Sequence, residues 1–351
     1  RNIIAVCLIA WSVMTAFSGL SKNYIQLLLS RIGVGIGEAG GTPGANSIIS
    51  DYFPQSKRPM ALTIFSLGAP IGAWIGADIA GIVNDHYNWR TVFLVLGIPG
   101  VFVGLLIFLT VREPRRGQLD KKGGDHKGAS FPESMRFLWT QRSAVHVMAA
   151  SALTALWGWG LMWWTPTYLI RNFGLTPGEA GSILGPVHLI GGGLATLATS
   201  WWLAQPKMKD PRRIVRMMGW GVGLATIVSG IIYSTRSLEL AQWLFWLFIP
   251  AIYFYIGPCF GLLNNLCEPR MRAQFCAATL FVANVGNLIV APQLVGFLSD
   301  AFAPDNVANG QSLRLAMLCL VPAGAWATWH YFRSARRIIQ DEEHATGIRP
   351  A

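Results

Sequence analysis

Arg31 and Glu38 are the residues of this sequence whose types and spacing could do chemistry, because both are charged and both interrupt a long apolar run. On a helix of 3.6 residues per turn they share one stripe with Gly35, Thr42 and Asn46. An arginine there can bind a carboxylate or a phosphate, and a glutamate can take up and release a proton. The two would lie about 10 Å apart along the helix axis, so a direct salt bridge between them is not expected.

Charges on this stripe have two explanations. A charge at the centre of a bilayer costs about 2.5 to 3.5 kcal/mol on insertion scales, so such side chains normally face a cavity or a partner. We therefore interpret the stripe as a path for substrate and protons, formed by Arg31, Glu38, Thr42 and Asn46. The alternative is a structural ion pair that locks helices together. Close helix packing is the simpler explanation for the small residues of another face, which are Gly33, Gly37 and Gly41.

Aromatic and amide side chains on other predicted helices form a second group that could line a solute pocket. Anchoring at the membrane interface and hydrogen bonds between helices are the simpler explanations for most of them, and also for His188. The residues that could line the pocket are Trp159, Trp163, Tyr168, Tyr253, Asn264, Asn284 and Asn287. Asp51 and Arg58 could form a gating charge cluster, with a solvated turn as the alternative.

The elements that must position these residues are predicted to be membrane-spanning helices. Of 351 residues, 52% are hydrophobic and only 13% are charged, which is too apolar for a soluble domain of this length. A helix needs about 20 apolar residues to cross roughly 30 Å of hydrocarbon. Such stretches occur at 3–20, 24–50, 60–84, 90–111, 144–170, 178–204, 214–234, 239–266, 274–299 and 313–332. The sequence therefore predicts an all-α membrane protein.

The net charge of +11 is explained by membrane topology. If Arg1 is cytoplasmic and the spans alternate, 22 of the 28 basic residues fall on the cytoplasmic side. Cytoplasmic loops of membrane proteins carry an excess of Lys and Arg. We therefore expect both ends of the chain on the cytoplasmic side of a bacterial inner membrane, and no nucleic-acid partner.

Four short patterns recur in the same order at offsets of 211 to 224 residues, for example Gly81 to Asp85 as Gly296 to Asp300. Spans one to four therefore repeat as spans seven to ten. Spans five and six have no counterpart, so we expect two further helices before Arg1 and two six-helix halves. The expected divisions are an N-terminal half at 1–111, a cytoplasmic linker at 112–142, a C-terminal half at 143–333 and a cytoplasmic tail at 334–351.

The stripe also carries a family resemblance. The run Arg31-x-x-Val34-Gly35-Ile36-Gly37-Glu38-Ala39, followed by Pro43, Ile48-Ile49-x-Asp51-Tyr52-Phe53 and Arg58, resembles the fourth helix of spinster-like transporters of the major facilitator superfamily. The motifs Pro70-Ile-Gly72, Trp89-Arg90 and Pro99-Gly100 continue the likeness into the fifth and sixth helices.

The resemblance implies the major facilitator fold, with family helices three to twelve in this chain. It also implies that Arg31 and Glu38 line the cavity and take part in proton coupling, and that the substrate is lysolipid-like or sphingoid. Related organic-anion:cation symporters share Gly-Glu-Ala in this helix but usually end it with Trp-Phe-Pro. The Asp51-Tyr52-Phe53-Pro54 sequence of this chain favours the spinster-like group.

We expect a monomeric secondary transporter that works by alternating access, with protons as the coupling ion and a lysolipid-like or related small organic solute as substrate. The alternative within transport is an organic-anion:proton symporter for a sugar acid or carboxylate, which Arg31 would bind. A membrane-embedded transferase is the alternative of another class, but Ser/His/Asp, His-x-x-Glu and Walker-type spacings are absent. A non-functional remnant is a third. The five cysteines lack paired or metal-ligand spacing, so no cofactor or metal is expected.

Overall fold

The computed structural model describes residues 1–39, 41–53, 61, 64–113, 129–304, 307 and 309–346, without the side chains at positions 42, 43, 46, 47, 50, 51, 209, 269, 273 and 346. Helices are the regular structure throughout these ranges, and no strand occurs in them. Within these ranges, eight helices are long and apolar enough to cross a membrane. The predicted all-α membrane fold class is therefore confirmed.

The chain separates into two compact units. Unit 1 comprises Arg1–Gly124 and Thr176–Gly185. Its helices are α1 (Asn2–Leu20), α2 (Tyr24–Glu38), α3 (Gly41–Tyr52), α4 (Gly68–His86), α5 (Trp89–Thr110) and the first part of α8 (Pro177–Leu203). Two of these helices have asparagine N-caps, since the Asn23 side chain accepts a hydrogen bond from Gln26 N and Asn88 accepts from Arg90 N and Thr91 N.

Helix α1 lies at the centre of unit 1 and contacts α2, α3 and α5. Small residues permit the close approach of α1 and α5: a Cβ added at Gly97 would lie 2.7 Å from Ala16 N, and one at Gly104 would lie 2.5 Å from Ile9 Cγ1. Helix α8 begins against α4, where Asp85 Oδ2 accepts a hydrogen bond of 2.9 Å from Gly178 N.

Unit 2 comprises Asp125–Leu175 and Pro186–Ala351. Its helices are the second part of α8 together with α6 (Phe131–Thr140), α7 (Arg142–Phe173), α9 (Pro211–Ile232), α10 (Leu238–Asn265), α11 (Gln274–Ala301), α12 (Gly310–Leu318), α13 (Val321–Ser334) and α14 (Ile338–Thr346). Aromatic rings fill the core, and the largest fully buried side chains include Trp157, Tyr168, Tyr233 and Tyr331. Their polar atoms are hydrogen-bonded, as when Trp157 Nε1 donates to Ser229 Oγ at 3.1 Å.

Three spans contain a π-helical turn: Ala155–Trp159 in α7, Val187–Gly192 in α8 and Val285–Val290 in α11. A π turn inserts an extra residue into an α-helix, rotates the following side chains and is frequently found at functional sites. The turns of α7 and α11 contact each other, and α10 contacts the turns of α7 and α8. These turns therefore lie around a common region of unit 2.

The predicted spans 24–50 and 313–332 each comprise two helices in the structure. The first contains α2 and α3, and the second contains α12 and α13. Pro322 closely follows the interruption at Cys319 and Leu320 between α12 and α13. Proline lacks the N–H that would bond the carbonyl four residues earlier, which disfavours a continuous helix there.

Candidate functional site

Helix α2 presents two different faces. One face packs on α1 through Gly33 and Gly37: a Cβ at Gly33 would lie 2.7 Å from the Met14 side chain, and one at Gly37 would lie 2.7 Å from Trp11 N. Gly41 at the start of α3 continues this face, because its Cβ would lie 2.8 Å from the Trp11 ring. The prediction that these three glycines serve close helix packing is confirmed.

The other face of α2 carries the charged stripe and is open. Arg31, Gly35 and Glu38 are all exposed, and a Cβ added at Gly35 would meet no atom within 4 Å. The period of 3.6 residues per turn thus places the packing glycines and the charged residues on different faces of α2. The structure leaves both charged side chains accessible from the same side of the helix.

Arg31 and Glu38 have different surroundings. The Arg31 guanidinium lies over the Phe93 ring of α5, with its Cζ atom 5.7 Å from the ring centroid, a cation–π geometry. One residue earlier, the buried Ser30 Oγ lies 3.0 Å from Ser18 Oγ of α1, which fixes this turn of α2. Glu38 is the last residue of α2. Among the described residues, no ion pair joins Arg31 to Glu38.

The remaining members of the predicted path and gate are not placed by the structure. Thr42, Asn46 and Asp51 lie on the backbone of α3, but their side chains are outside the described atoms. Arg58 lies outside the described residues altogether. Their roles stay predictions.

In unit 2 the structure brings together three side chains near the π turns. His188 Nδ1 lies 2.9 Å from the Tyr253 hydroxyl, and the ring of Trp159 packs edge-on against Tyr253 with centroids 5.3 Å apart. His188 and Tyr253 are buried, whereas Trp159 is partly exposed. This cluster offers an aromatic surface beside a hydrogen-bonded polar pair, a combination suited to one end of an amphipathic solute.

The other residues that were predicted to line the pocket have separate surroundings. Asn284 is exposed and its Oδ1 accepts a 3.4 Å hydrogen bond from Asn287 Nδ2 in the π turn of α11. Trp163 is 53% exposed. Asn264 lies at the end of α10, where its Oδ1 accepts from Cys276 Sγ at 3.4 Å, rather than in the cluster of His188.

Tyr168 was predicted to line the pocket and instead has no exposed surface. Its hydroxyl donates to Ile232 O at 2.9 Å, and its ring packs edge-on against Tyr233 with a centroid distance of 5.1 Å. Tyr168 therefore lies on the side of α7 that faces the end of α9. In this structure Tyr168 is a core residue.

Sequence reasoning missed one group of polar residues. The start of α7 and the region from α13 to α14 border a cavity of about 440 Å³ lined by Arg142, Ser143, His146, Arg333, Arg336, Arg337 and Gln340. The sequence signal was present as a cluster of basic residues at two span ends, but positive-inside bias already explained it. Only the packing of α7 against α13 shows that these residues share a cavity.

Eight apolar helices of membrane-spanning length, within the part of the chain that the structure describes, define the class as a polytopic α-helical membrane protein. The chain belongs to the major facilitator superfamily, whose family model matches residues 1–291.

Individual relatives agree with this family. The chain is 28% identical over 352 residues to an MFS-type efflux pump of Mycolicibacterium smegmatis, covering 97% of this chain and 79% of that protein. It is 26% identical over 367 residues to the sphingosine-1-phosphate transporter SPNS2 of Xenopus tropicalis, covering 97% and 69%. It is 24% identical over 359 residues to a probable L-galactonate transporter of Escherichia coli K12, covering 97% and 76%.

A solved structure shows the same fold. The crystal structure of a bacterial homologue of the human lysosomal transporter Spinster, inward-facing and unoccupied, aligns with a TM-score of 0.78 and 27% identity. The alignment covers 97% of this chain and 83% of that chain. The major facilitator fold and the spinster-like resemblance are therefore confirmed, and the proteins matched are transporters rather than enzymes.

Proposed function

We propose that this protein is a proton-coupled carrier that moves an amphipathic, lysolipid-like or related small organic solute by alternating access. Arg31 binds the anionic group of the solute, and Glu38 takes up and releases the coupling proton. The observation that carries the proposal is the difference between the two faces of α2, since one face packs Gly33 and Gly37 against α1 and the other leaves Arg31 and Glu38 exposed.

A charged side chain on a membrane span needs water, a partner or a substrate, because lipid gives it none of the hydrogen bonds that it has in water. Arg31 and Glu38 have no ion-pair partner among the described residues. This favours a solute-filled or water-filled path on the open face over a structural ion pair.

The cluster of His188, Tyr253 and Trp159 supports a second contact for the solute within unit 2. The partly exposed Trp159 ring can cover an apolar chain, while His188 and Tyr253 supply a donor and an acceptor. Asn284 and Trp163 are exposed and are proposed as further lining residues. Asp51 and Arg58 are proposed as gating charges on sequence grounds alone.

A sugar acid or other carboxylate is the second candidate substrate. An exposed arginine suits a carboxylate as well as a phosphate, and the similarity to a probable L-galactonate transporter favours this reading. The two candidate solutes differ in their apolar part, because a sugar acid carries hydroxyl groups along its carbon chain and has no apolar chain to lie against Trp159.

The experiment is an uptake assay in proteoliposomes that compares a labelled lysolipid with a labelled sugar acid. Transport of the lysolipid, with loss of its apparent affinity in Trp159→Ala, is the expected result. Transport of the sugar acid alone would move the protein to the organic-anion group. Trp201→Ala is a matched control, because Trp201 is 69% exposed and lies at the far end of α8.

The distribution of basic residues supports a cellular location and a membrane topology for this protein. We propose residence in a bacterial inner membrane, with both ends of this chain and the 112–142 linker in the cytoplasm. We further propose that the 1–111 and 143–333 halves move against each other in a monomer.

A further inference from the structure

The cavity between the start of α7 and the α13–α14 region is strongly cationic. It has a volume of about 440 Å³, and its lining includes the four guanidinium groups of Arg142, Arg333, Arg336 and Arg337. No carboxylate lines it among the described residues. One described carboxylate lies at its edge, since Asp341 Oδ2 accepts a 2.6 Å hydrogen bond from the backbone N–H of the lining residue Ser143, which leaves the four arginines in excess.

This arrangement is complementary to an anion. Like charges around one cavity repel each other, and none of the four arginines forms an ion pair within the described part of the chain. Guanidinium groups are the donors best suited to the oxygens of a phosphate, which they can bind through two parallel hydrogen bonds. A bound phosphate would relieve the repulsion and satisfy several donors at once.

The surroundings of the cavity indicate that the phosphate belongs to a lipid. His146 lines the cavity and packs edge-on against Trp329, with ring centroids 5.8 Å apart. Trp329 is 53% exposed and Trp326, one turn earlier on α13, is 58% exposed. Exposed tryptophans near the end of a span are typical of the lipid headgroup level. The cavity therefore opens beside a surface suited to acyl chains.

We propose that this cavity binds the headgroup phosphate of an anionic phospholipid, with the acyl chains lying along Trp326 and Trp329. The phosphate is held by Arg142 on one side and by Arg333, Arg336 and Arg337 on the other. A zwitterionic headgroup is disfavoured, because its cationic end would enter a cavity that already carries four positive charges. The bound lipid ties α7 to α13 and α14 at the expected cytoplasmic surface.

Lipid binding to the full chain in detergent micelles tests this proposal without any transport measurement. Native mass spectrometry counts the lipids bound during titration with phosphatidylglycerol or phosphatidylcholine. We expect phosphatidylglycerol to bind at least about tenfold more tightly than phosphatidylcholine. The double variant R336Q/R337Q should weaken phosphatidylglycerol binding by at least about tenfold, because charge-assisted hydrogen bonds are lost.

Three comparisons keep the result specific. R212Q/R216Q removes the same charge from two exposed residues of α9 and should leave the affinity unchanged. R336K/R337K keeps the charge and should retain most of the binding. Should the glutamine pair fail to give a monodisperse protein, Arg142→Gln removes a guanidinium from the other side of the cavity and should weaken binding severalfold.

Equal binding of the two lipids, or an equal loss in R212Q/R216Q, would overturn the proposal. A third titration uses glycerol phosphate, the soluble headgroup analogue. Displacement of phosphatidylglycerol by an equal concentration of glycerol phosphate would show a site for a soluble phosphate and would also overturn the lipid assignment.

Discussion

Gly37 of α2 lies against the backbone of Trp11 in α1, so closely that a Cβ on Gly37 would come within 2.7 Å of the Trp11 amide nitrogen. This contact sets the rotation of α2 about its own axis. The charged residues Arg31 and Glu38 are exposed as a consequence. The position of the functional charges thus depends on a residue that has no side chain.

Gly37→Ala is expected to destabilise the protein, whereas Gly35→Ala is not. The added methyl group at position 37 meets backbone atoms of Trp11, which cannot rotate away, and such overpacking costs about 1 to 3 kcal/mol. At position 35 the methyl group enters open space, and alanine favours a helix over glycine by about 1 kcal/mol. Thermal unfolding of the two variants in the same detergent checks this. Equal melting temperatures would mean that α2 does not pack on α1 in this way.

Arg31→Lys is expected to reduce transport about tenfold, the effect of losing one charge-assisted hydrogen bond of about 1.4 kcal/mol. Lysine keeps the positive charge but loses the planar fork and the stacking on Phe93. Arg236→Lys, at an exposed position between α9 and α10, is the control and should transport like the wild type. Solute flux in proteoliposomes is the measurement. Equal flux in both variants would favour a structural role for Arg31.

Tyr253→Phe and Tyr168→Phe separate solute contact from core packing. Each removes one buried hydroxyl, from the 2.9 Å contact with His188 Nδ1 in the first case and from the 2.9 Å bond to Ile232 O in the second. Both should lower stability by about 1 kcal/mol. Only Tyr253→Phe is expected to raise the KM for the solute. A raised KM in Tyr168→Phe, with none in Tyr253→Phe, would contradict the assignment of the cluster.

Glu342 of α14 is expected to make the stability of the protein depend on pH. Burial raises the pKa of its carboxyl above the ordinary value of 4.5, the nearby Asp210 raises it further, and a hydrogen bond from Asn265 opposes the shift. Ionisation of Glu342 therefore costs folding free energy. This cost grows as the pH rises from 4.5 to the raised pKa and is complete above it, and it vanishes well below 4.5, where the carboxyl is protonated in both the folded and the unfolded state.

Glu342→Gln removes this cost, so we expect it to raise the melting temperature at pH 8 and to change it little at pH 4.5. Glu239→Gln, at an exposed position in the first turn of α10, should show no such trend. Melting curves across this pH range measure the difference. A gain in Glu342→Gln that is the same at both pH values would show that the ionisation of Glu342 is not responsible.

Much of the fold was predictable because the bilayer restricts what an apolar chain can do. Spans such as Asn2–Leu20 and Trp89–Thr110 are recognisable from length and hydropathy alone. The two faces of α2 were also predictable, since a period of 3.6 residues places Gly33 and Gly37 away from Arg31 and Glu38.

What was not predictable depends on the helix phase and on tertiary packing. The π turns Ala155–Trp159 and Val187–Gly192 have no clear sequence signature, and each changes the direction of the side chains that follow it. Tyr168 was predicted to line a pocket and lies in the core because of its tertiary contacts with Ile232 and Tyr233. The shared cavity of Arg142 and Arg336 arises from contact between helices nearly 200 residues apart in sequence.

The central claim is that Glu38 carries the coupling proton, and Glu38→Gln tests it most directly. Glutamine keeps the shape of a protonated glutamate but cannot ionise. We expect the variant to bind and exchange solute while losing the acceleration of flux by a proton gradient. Glu239→Gln is the matched control and should respond to the gradient like the wild type. The measurement is solute flux in proteoliposomes with and without a proton gradient. Gradient-independent flux in Glu38→Gln is the predicted result, and full gradient-driven accumulation by that variant would contradict the account.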